Sequence, residues 1–184
     1  NARPKIERAA LKHFVSDGVD ASTTREIAEV AGVSEGALYR HYKGKDELAV
    51  ALFMETHDRL GKTLVEAWSQ GGDLEDKVRR AVTAYCALAD EDWLLFSFHL
   101  LSMNRFLPHD KRREDDPLTL AEGIVKGLIA EKEIPDCDPA LMAGMMFGVV
   151  FQCAQNKAYN RLPGPFSAHI EPFTRAIVAV LRQE

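Results

Sequence analysis

The chain has 184 residues, of which 46% are hydrophobic, so it can bury the core of one or two domains. Its net charge of −5 is unevenly divided, because residues 1–45 carry +2 and residues 46–184 carry −7. Three cysteines without C-x-x-C spacing argue against a disulfide framework or a zinc site and fit a reducing cytoplasm. The longest apolar run, residues 140–151, falls short of the roughly 20 residues of a membrane span, and no signal peptide opens the chain.

The first predicted element is an amphipathic helix. Ile6, Ala10 and Phe14 recur every four residues, which places them on one helical face, and Asp17-Gly18 provides a usual stop. Arg3 at its start is placed either to touch a phosphate or to remain solvated.

Residues 23–48 predict two short helices joined by a tight turn, followed by the start of a third helix. Thr23 or Thr24 can cap the first helix, since a hydroxyl accepts a hydrogen bond from an otherwise unpaired N–H group. Gly32 supplies the residue that tolerates a positive φ at the turn, and Ser34 caps the second helix. Two short helices joined in this way are typical of a helix-turn-helix, in which the first helix supports the second and the second enters the major groove of DNA.

The second short helix has an inner and an outer face. Leu38 and Tyr42 lie four residues apart and are expected to face the core. The positions left for the outside are Glu35, Gly36, Ala37, Tyr39, Arg40 and His41.

Three motifs in this stretch occur together: T-x-x-I-A at 24–28, A-G-V-S at 31–34 and G-x-L-Y-x-H-Y-x-x-K-x-x-L at 36–48. From about residue 6 to about residue 52 the chain resembles the TetR (tetracycline-repressor-like) family of bacterial transcription regulators. The resemblance implies an all-α protein, with a three-helix DNA-binding domain at 1–47 and a helical ligand-binding and dimerisation domain at 48–184.

The resemblance also implies roles for individual residues at the DNA surface. Arg25 matches a position that reads guanine, whose paired acceptors suit a guanidinium. Arg40 is expected to reach a base or a phosphate, and Glu35 either accepts from a cytosine or, as we favour, serves the helix dipole. The full predicted set is Thr24, Tyr39, His41 and Lys45 at the DNA backbone, Ser34, Glu35, Gly36 and Ala37 at the leading edge, and Arg25 and Arg40.

Beyond residue 45 the sequence predicts helices only. A long helix starts at Lys45-Asp46 and continues its apolar stripe to Gly71-Gly72, so we expect it to contact both halves of the protein. The next predicted helices begin after Asp73, span residues 91–106, begin at Pro117 and span residues 140–159. Pro108 is expected to end the second of these, and the mixed charges of residues 109–116 predict a solvated connection.

An aromatic-rich interior with few charges predicts a pocket for a small apolar or aromatic effector. The polar candidates in that pocket are Tyr85, His99, Asn104 and Gln152. The apolar candidates are Phe96, Met103, Phe147 and Phe151.

The final two helices are predicted to hold a homodimer together. A stripe alternating four and three residues is typical of a bundle seam, and a small-xxx-small spacing allows close helix approach. The predicted interface residues are Gly144, Gly148, Phe166, Ile170, Phe173, Ile177 and Val180.

The resemblance therefore implies a ligand-responsive regulator, most often a repressor released by its effector, that binds a near-palindromic operator in double-stranded DNA as a dimer. An activator, or a regulator without a ligand, fits the residues equally well. A helical enzyme is the weaker alternative, since no nucleophile motif, phosphate loop or H-E-x-x-H is present in the sequence. We expect no catalytic residues, no cofactor and no metal.

Overall fold

The structure is a computed structural model that describes residues 1–107 and 114–184. All regular elements in these residues are helical, as the sequence predicts. The elements are α1 (Ala2–Ser16), α2 (Thr24–Ala31), α3 (Glu35–Tyr39), α4 (Lys45–Ser69), α5 (Leu74–Glu91), α6 (Trp93–Phe106), α7 (Pro117–Ala130), α8 (Pro139–Ala158), a short 3₁₀-helix (Phe166–His169) and α9 (Ile170–Arg182).

Helix starts follow the capping residues in the sequence. Asp73 accepts a hydrogen bond from the Asp76 N–H group at the start of α5. Asp116 and Asp138 do the same for α7 and α8, each directly before a proline at the first helical position. Pro108 and most of the charged connection predicted at 109–116 lie outside the described residues.

The chain divides into two compact units. The first contains residues 1–56 and 94–107, and the second contains residues 57–93 and the described residues from 114 onward. The boundary in α4 falls between Thr56 and His57. The predicted functional division at 47/48 therefore differs from the structural one, because α6 packs with the N-terminal helices.

The first unit has a core built from α1, α2, α3, the first half of α4 and α6. Ile6, Phe14, Leu38, Phe53 and Phe98 are each at most 5% exposed. Phe98 on α6 packs against Phe14 on α1, with ring centroids 5.6 Å apart. A helix distant in sequence thereby completes the hydrophobic core of the N-terminal helices.

The second unit is a helical bundle in which α9 packs on α5 and α8, and α7 packs on α8. Asp90 of α5 holds the start of the 3₁₀-helix by accepting hydrogen bonds from the backbone N–H groups of Phe166 and Ser167, at 2.6 and 2.9 Å. Among the described residues, no helix combines the length and the apolar character that crossing a membrane requires.

Candidate nucleic-acid interface and ligand cavity

The turn between α2 and α3 has the geometry that its sequence predicts. The Thr23 hydroxyl accepts from the Glu26 N–H group, and the Glu26 carboxylate accepts from the Thr23 N–H group, which forms a capping box. Gly32 ends α2 at a φ of 66°, and the Ser34 hydroxyl caps α3 by accepting from the Ala37 N–H group. The angle between the two helices is thus fixed by hydrogen bonds between side chains and backbone N–H groups, together with a glycine that adopts a positive φ without strain.

Most of the residues predicted to face DNA are exposed. Arg25, Gly36, Arg40 and His41 are exposed, and Tyr39 is 52% exposed. These side chains are available for contact with a partner.

Ala37 is an exception, because it is only 5% exposed. The prediction that it lies on the outer face is wrong. Helix α3 is five residues long and packs against both α1 and α2, so two consecutive positions, Ala37 and Leu38, are covered. Its methyl group belongs to the core rather than to the reading surface.

Three predicted DNA-contact residues bond to one another across the turn. The Thr24 hydroxyl donates to the Glu35 carboxylate at 2.5 Å, and the Tyr39 hydroxyl lies 3.3 Å from the Thr24 hydroxyl. Glu35 therefore does more than serve the dipole of α3, because it ties the first turn of α2 to the first turn of α3.

Lys45 has a role that the sequence did not reveal. Its ammonium group donates to the backbone carbonyls of Asp20 at 2.7 Å and Ser22 at 2.8 Å. These bonds use two of the three N–H donors of the ammonium group, so Lys45 stabilises the segment between α1 and α2 and keeps one donor for the predicted phosphate contact.

Tyr42 is a core residue with a polar anchor, as predicted. Its ring is 6% exposed, and its hydroxyl donates to Glu7 at 2.5 Å and accepts from Arg3 at 3.2 Å. Burial and the bond to Glu7 together raise the pKa of Tyr42 to about 12. Arg3 also pairs with Glu7, so its guanidinium is held by the protein rather than merely solvated.

The second unit contains an apolar cavity of about 70 Å³. Its walls come from α4, α5, α7, α8 and α9, and the lining includes Leu64, Trp68, Val82, Tyr85 and Phe147. Tyr85 and Phe147 are the two predicted ligand contacts found there. Burial raises the pKa of the Tyr85 hydroxyl, so this group is neutral.

The other predicted ligand contacts do not line this cavity. His99 is 4% exposed and stacks on Phe53 in the first unit, with ring centroids 4.6 Å apart. The reason is that α6 from Leu94 onward packs with the N-terminal helices. Phe96 and Met103 lie on the same stretch of α6, Asn104 is exposed there, and Phe151 and exposed Gln152 lie on α8 away from the cavity wall.

The predicted dimer stripe on the last helices is largely a core stripe of the single chain. Phe166, Phe173 and Ile177 are at most 5% exposed, and Ile177 lines the cavity. The prediction that these three form an interface is wrong, because other helices of the same chain cover them. The 3₁₀-helix that carries Phe166 packs on α5, and α9, which carries Phe173 and Ile177, packs on α5 and α8. Ile170 and Val180 are half-buried.

Gly144 and Gly148, in contrast, lie on an exposed face of α8. Two large apolar residues share this face, since Leu141 is 64% exposed and Met145 is 46% exposed. A Cβ atom added at either glycine would meet no described atom within 4 Å. The face formed by Leu141, Gly144, Met145 and Gly148, called the α8 face below, is exposed and carries no charged residue.

Sequence reasoning missed Arg105, whose guanidinium pairs with Asp20 of the first unit. The two residues are 85 positions apart, and no local pattern connects them.

A capped helix pair with a left-handed glycine at its turn and exposed polar residues on α2 and α3 has the geometry of a helix-turn-helix. The family described as bacterial regulatory proteins, tetR family, matches residues 6–52. Over these residues the chain is similar to members of that family. Among curated relatives, the regulator TtgR of Pseudomonas putida is 44% identical over 63 residues, which are 33% of this chain and 30% of that protein. The matched stretch thus spans about a third of that relative's length.

Solved structures extend the likeness to the whole fold. The fatty acid degradation regulator FadR from Bacillus halodurans gives a TM-score of 0.78 at 19% identity, covering 99% of this chain and 97% of that one. The regulator FadR from Bacillus subtilis, solved in complex with stearoyl-CoA, gives 0.74 at 20% identity, covering 97% of each chain. At these identities the structures establish the all-α architecture.

Proposed function

We propose that this protein is a transcriptional regulator that binds operator DNA as a homodimer through residues 23–45 and responds to a small apolar effector. The observation that carries the proposal is a group of exposed side chains: Arg25 on α2, Tyr39 on α3, and Arg40 and His41 just after α3. The turn that positions them has both helix caps and a glycine in the left-handed conformation. Such a regulator works where the chromosome is, in the cytoplasm.

The corrected interface divides into reading and positioning residues. Arg25 is exposed in the first turn of α2 and is proposed to read a guanine. Tyr39 and His41 are exposed and are proposed to contact phosphates, which fix the register of the protein on the duplex. Arg40 is exposed beside them and adds positive charge to the same surface.

Selection from a randomised duplex library tests DNA binding. The wild-type protein should enrich one near-palindromic sequence, and the affinity for it should fall with salt by about 0.9 in log–log slope per neutralised phosphate. Arg25→Ala should relax preference at one base position per half-site, whereas His41→Ala should weaken all sequences alike. Failure of the wild-type protein to enrich any sequence would contradict the proposal.

The homodimer is proposed to form through the α8 face. An exposed contiguous apolar surface on a soluble chain is favourable to cover, and the two glycines permit close approach of a second helix. Met145→Arg adds a charge at a position already 46% exposed, so it should leave the monomer folded but separate the protomers.

Analytical ultracentrifugation measures the outcome. Val65→Arg is the matched control, because Val65 is 44% exposed in the same unit but lies on α4. We expect a monomer for Met145→Arg and a dimer for the wild type and Val65→Arg. A dimer in all three proteins would remove the α8 face from the interface.

The effector is proposed to be a molecule with a long apolar part, such as a fatty acyl chain. The cavity lining is almost entirely hydrocarbon, with Tyr85 and Trp68 as its polar-capable members. A structural neighbour, FadR from Bacillus subtilis, was solved with stearoyl-CoA, which supports the acyl class. The cavity of about 70 Å³ is far below the roughly 300–1,000 Å³ of ligand sites, so binding must widen it.

Native mass spectrometry and thermal shift with acyl-CoA esters of increasing chain length test this class. Longer chains should stabilise the protein more, up to a limit set by the walls. Val82→Trp, at a lining position 3% exposed, should abolish the shift. Equal shifts for acyl-CoA and free coenzyme A would show that the apolar cavity is not the site.

The sign of regulation is proposed to be repression with release by the effector. An activator of the same fold is the alternative, and a reporter gene behind the selected operator separates the two. Expression that rises when the regulator is deleted supports repression, and expression that falls supports activation.

A further inference from the structure

The segment between α1 and α2, residues 17–23, is held by side chains rather than by a regular backbone pattern. The Ser22 hydroxyl donates to the Gly18 carbonyl at 2.8 Å. The Lys45 ammonium donates to the Asp20 and Ser22 carbonyls. These bonds act together with Val19, which is 5% exposed and packs in the core of the first unit, to fix the position of the segment.

Arg105 on α6 adds an ion pair to this segment. Its two terminal nitrogens donate to the two carboxylate oxygens of Asp20, both at 2.7 Å, in a bidentate pair. One of these nitrogens also lies 3.6 Å from the Asp46 carboxylate, at the start of α4. Arg105 therefore joins the segment before α2 to the segment after α3.

The backbone that carries Arg105 is fixed by packing. Phe106, the next residue, packs against Phe53 with ring centroids 5.2 Å apart, and Phe98 lies two turns earlier in the core. The Arg105 guanidinium also lies over the Phe106 ring, with Cζ 5.6 Å from the ring centroid, and this contact favours the orientation in which it pairs with Asp20. Hydrogen bonds from Arg105 lower the pKa of the Asp20 carboxyl, so Asp20 is ionised at neutral pH.

Asp20 lies three residues before Thr23, the residue that caps α2, and five before Arg25, the proposed base-reading residue. A shift of Asp20 is transmitted to the cap and to the first turn of α2 through this short connection. The position of Arg25 relative to a base pair thus depends on where Asp20 is held.

We propose that Arg105, which lies outside the stretch that matches the family, is a positioning residue for operator recognition and acts through its bidentate pair with Asp20. The inference rests on the proposed function. It assigns to α6 a part in presenting α2, in addition to filling the core of the first unit.

Two substitutions break the pair with opposite changes in charge. Arg105→Ala removes a cation, and Asp20→Asn removes an anion. If charge alone mattered, Asp20→Asn would strengthen DNA binding, because it makes the protein less negative. If positioning matters, both substitutions weaken binding to the operator.

Arg59→Ala is the matched control. Arg59 forms a similar bidentate pair with Glu91, at 3.1 and 2.5 Å, in the second unit. Its replacement removes the same charge and the same kind of ion pair, but not at the α1–α2 segment.

The probe is the duplex that the wild-type protein enriches from a randomised library, with a scrambled duplex of equal length for comparison, measured by fluorescence anisotropy at constant salt. We expect Arg105→Ala and Asp20→Asn each to weaken operator binding by about three- to tenfold, and Arg59→Ala by less than about twofold. The double variant should be no worse than either single variant, since both remove one interaction. Tighter or unchanged operator binding by Asp20→Asn would overturn the proposal.

Hydrogen exchange separates this inference from the proposed function. Amides of residues 18–25 should exchange faster in Arg105→Ala than in the wild type, with the melting temperature nearly unchanged. A wild-type protein that enriches no duplex would refute the function. Unchanged exchange at residues 18–25 in Arg105→Ala would refute the positioning role whether or not DNA binds.

Discussion

Replacement of Gly61 by alanine should destabilise the protein, although alanine is the better helix former. Gly61 lies inside α4, where this exchange normally contributes up to about 1 kcal/mol of stability. A Cβ atom at Gly61 would lie 2.7 Å from the Asp115 carbonyl oxygen and 3.2 Å from a Leu120 methyl group. The carbonyl belongs to the backbone and cannot rotate away, so the segment before α7 must move.

That movement disturbs a second set of contacts. Asp116 caps α7 through the Leu118 and Thr119 N–H groups and lies 3.0 Å from the buried His57 ring. Overpacking of a tight contact costs about 1–3 kcal/mol. After the gain in helix propensity, we expect a net loss of about 1–2 kcal/mol for Gly61→Ala.

Gly123→Ala is the matched control, because Gly123 lies inside α7 with no described atom within 4 Å of an added Cβ. The free energy of unfolding of Gly123→Ala should be higher than that of the wild type by up to about 1 kcal/mol. The stabilities of the two variants should then differ by about 1–3 kcal/mol, which at about 2–4 °C per kcal/mol is a difference of about 2–12 °C in melting temperature at equal protein concentration. Calorimetry or urea unfolding measures this. Equal stability of the two alanine variants would refute the argument that backbone contact requires glycine at position 61.

Three further predictions follow from the polar contacts and the thiols. Glu35→Gln should raise affinity for scrambled DNA several-fold more than Glu29→Gln does, because it removes a carboxylate from the reading surface; equal effects in filter binding would contradict this. The pKa of Tyr42 is raised to about 12, so its neutral hydroxyl contributes stability in full below about pH 10, and this contribution is lost as the pH rises toward 12. Spectroscopic unfolding at several pH values should therefore show a smaller drop in stability over that range for Tyr42→Phe than for the wild type. Burial raises the pKa of Cys86 to about 12, so mass spectrometry should find Cys86 unmodified by iodoacetamide at pH 8 while half-buried Cys137 reacts.

Local signals explain why the N-terminal helices were predictable. The cap at Thr23, the left-handed Gly32 and the cap at Ser34 each act through hydrogen bonds to residues within four positions. The recognition of the motif and the placement of α5, α7 and α8 used signals of the same kind. These interactions are encoded in short windows, so a single sequence reveals them.

Contacts between distant elements were not predictable in the same way. The apolar stripe on α9 was correctly identified, but whether α5 or a second protomer covers it depends on the packing of the bundle. His99 is surrounded by apolar residues in the sequence, which predicts that it is buried. The ring that stacks on it is Phe53 on α4, and the neighbours of His99 in the sequence do not reveal that contact. Periodicity predicts that a face is buried and leaves open what buries it.

The small cavity also constrains how an effector can act. The walls leave a volume of about 70 Å³, so the proposed acyl chain must displace side chains to enter it. A ligand shifts an equilibrium only by its differential affinity for the two states, and the cost of opening lowers its apparent affinity. Leu64 and Trp68 in the wall belong to α4, the helix that also contributes Leu48 and Leu52 to the core of the first unit. An effector that displaces this wall would therefore act on the helix that directly follows the proposed reading residues, and it can change DNA affinity only by the difference between its affinities for the two states.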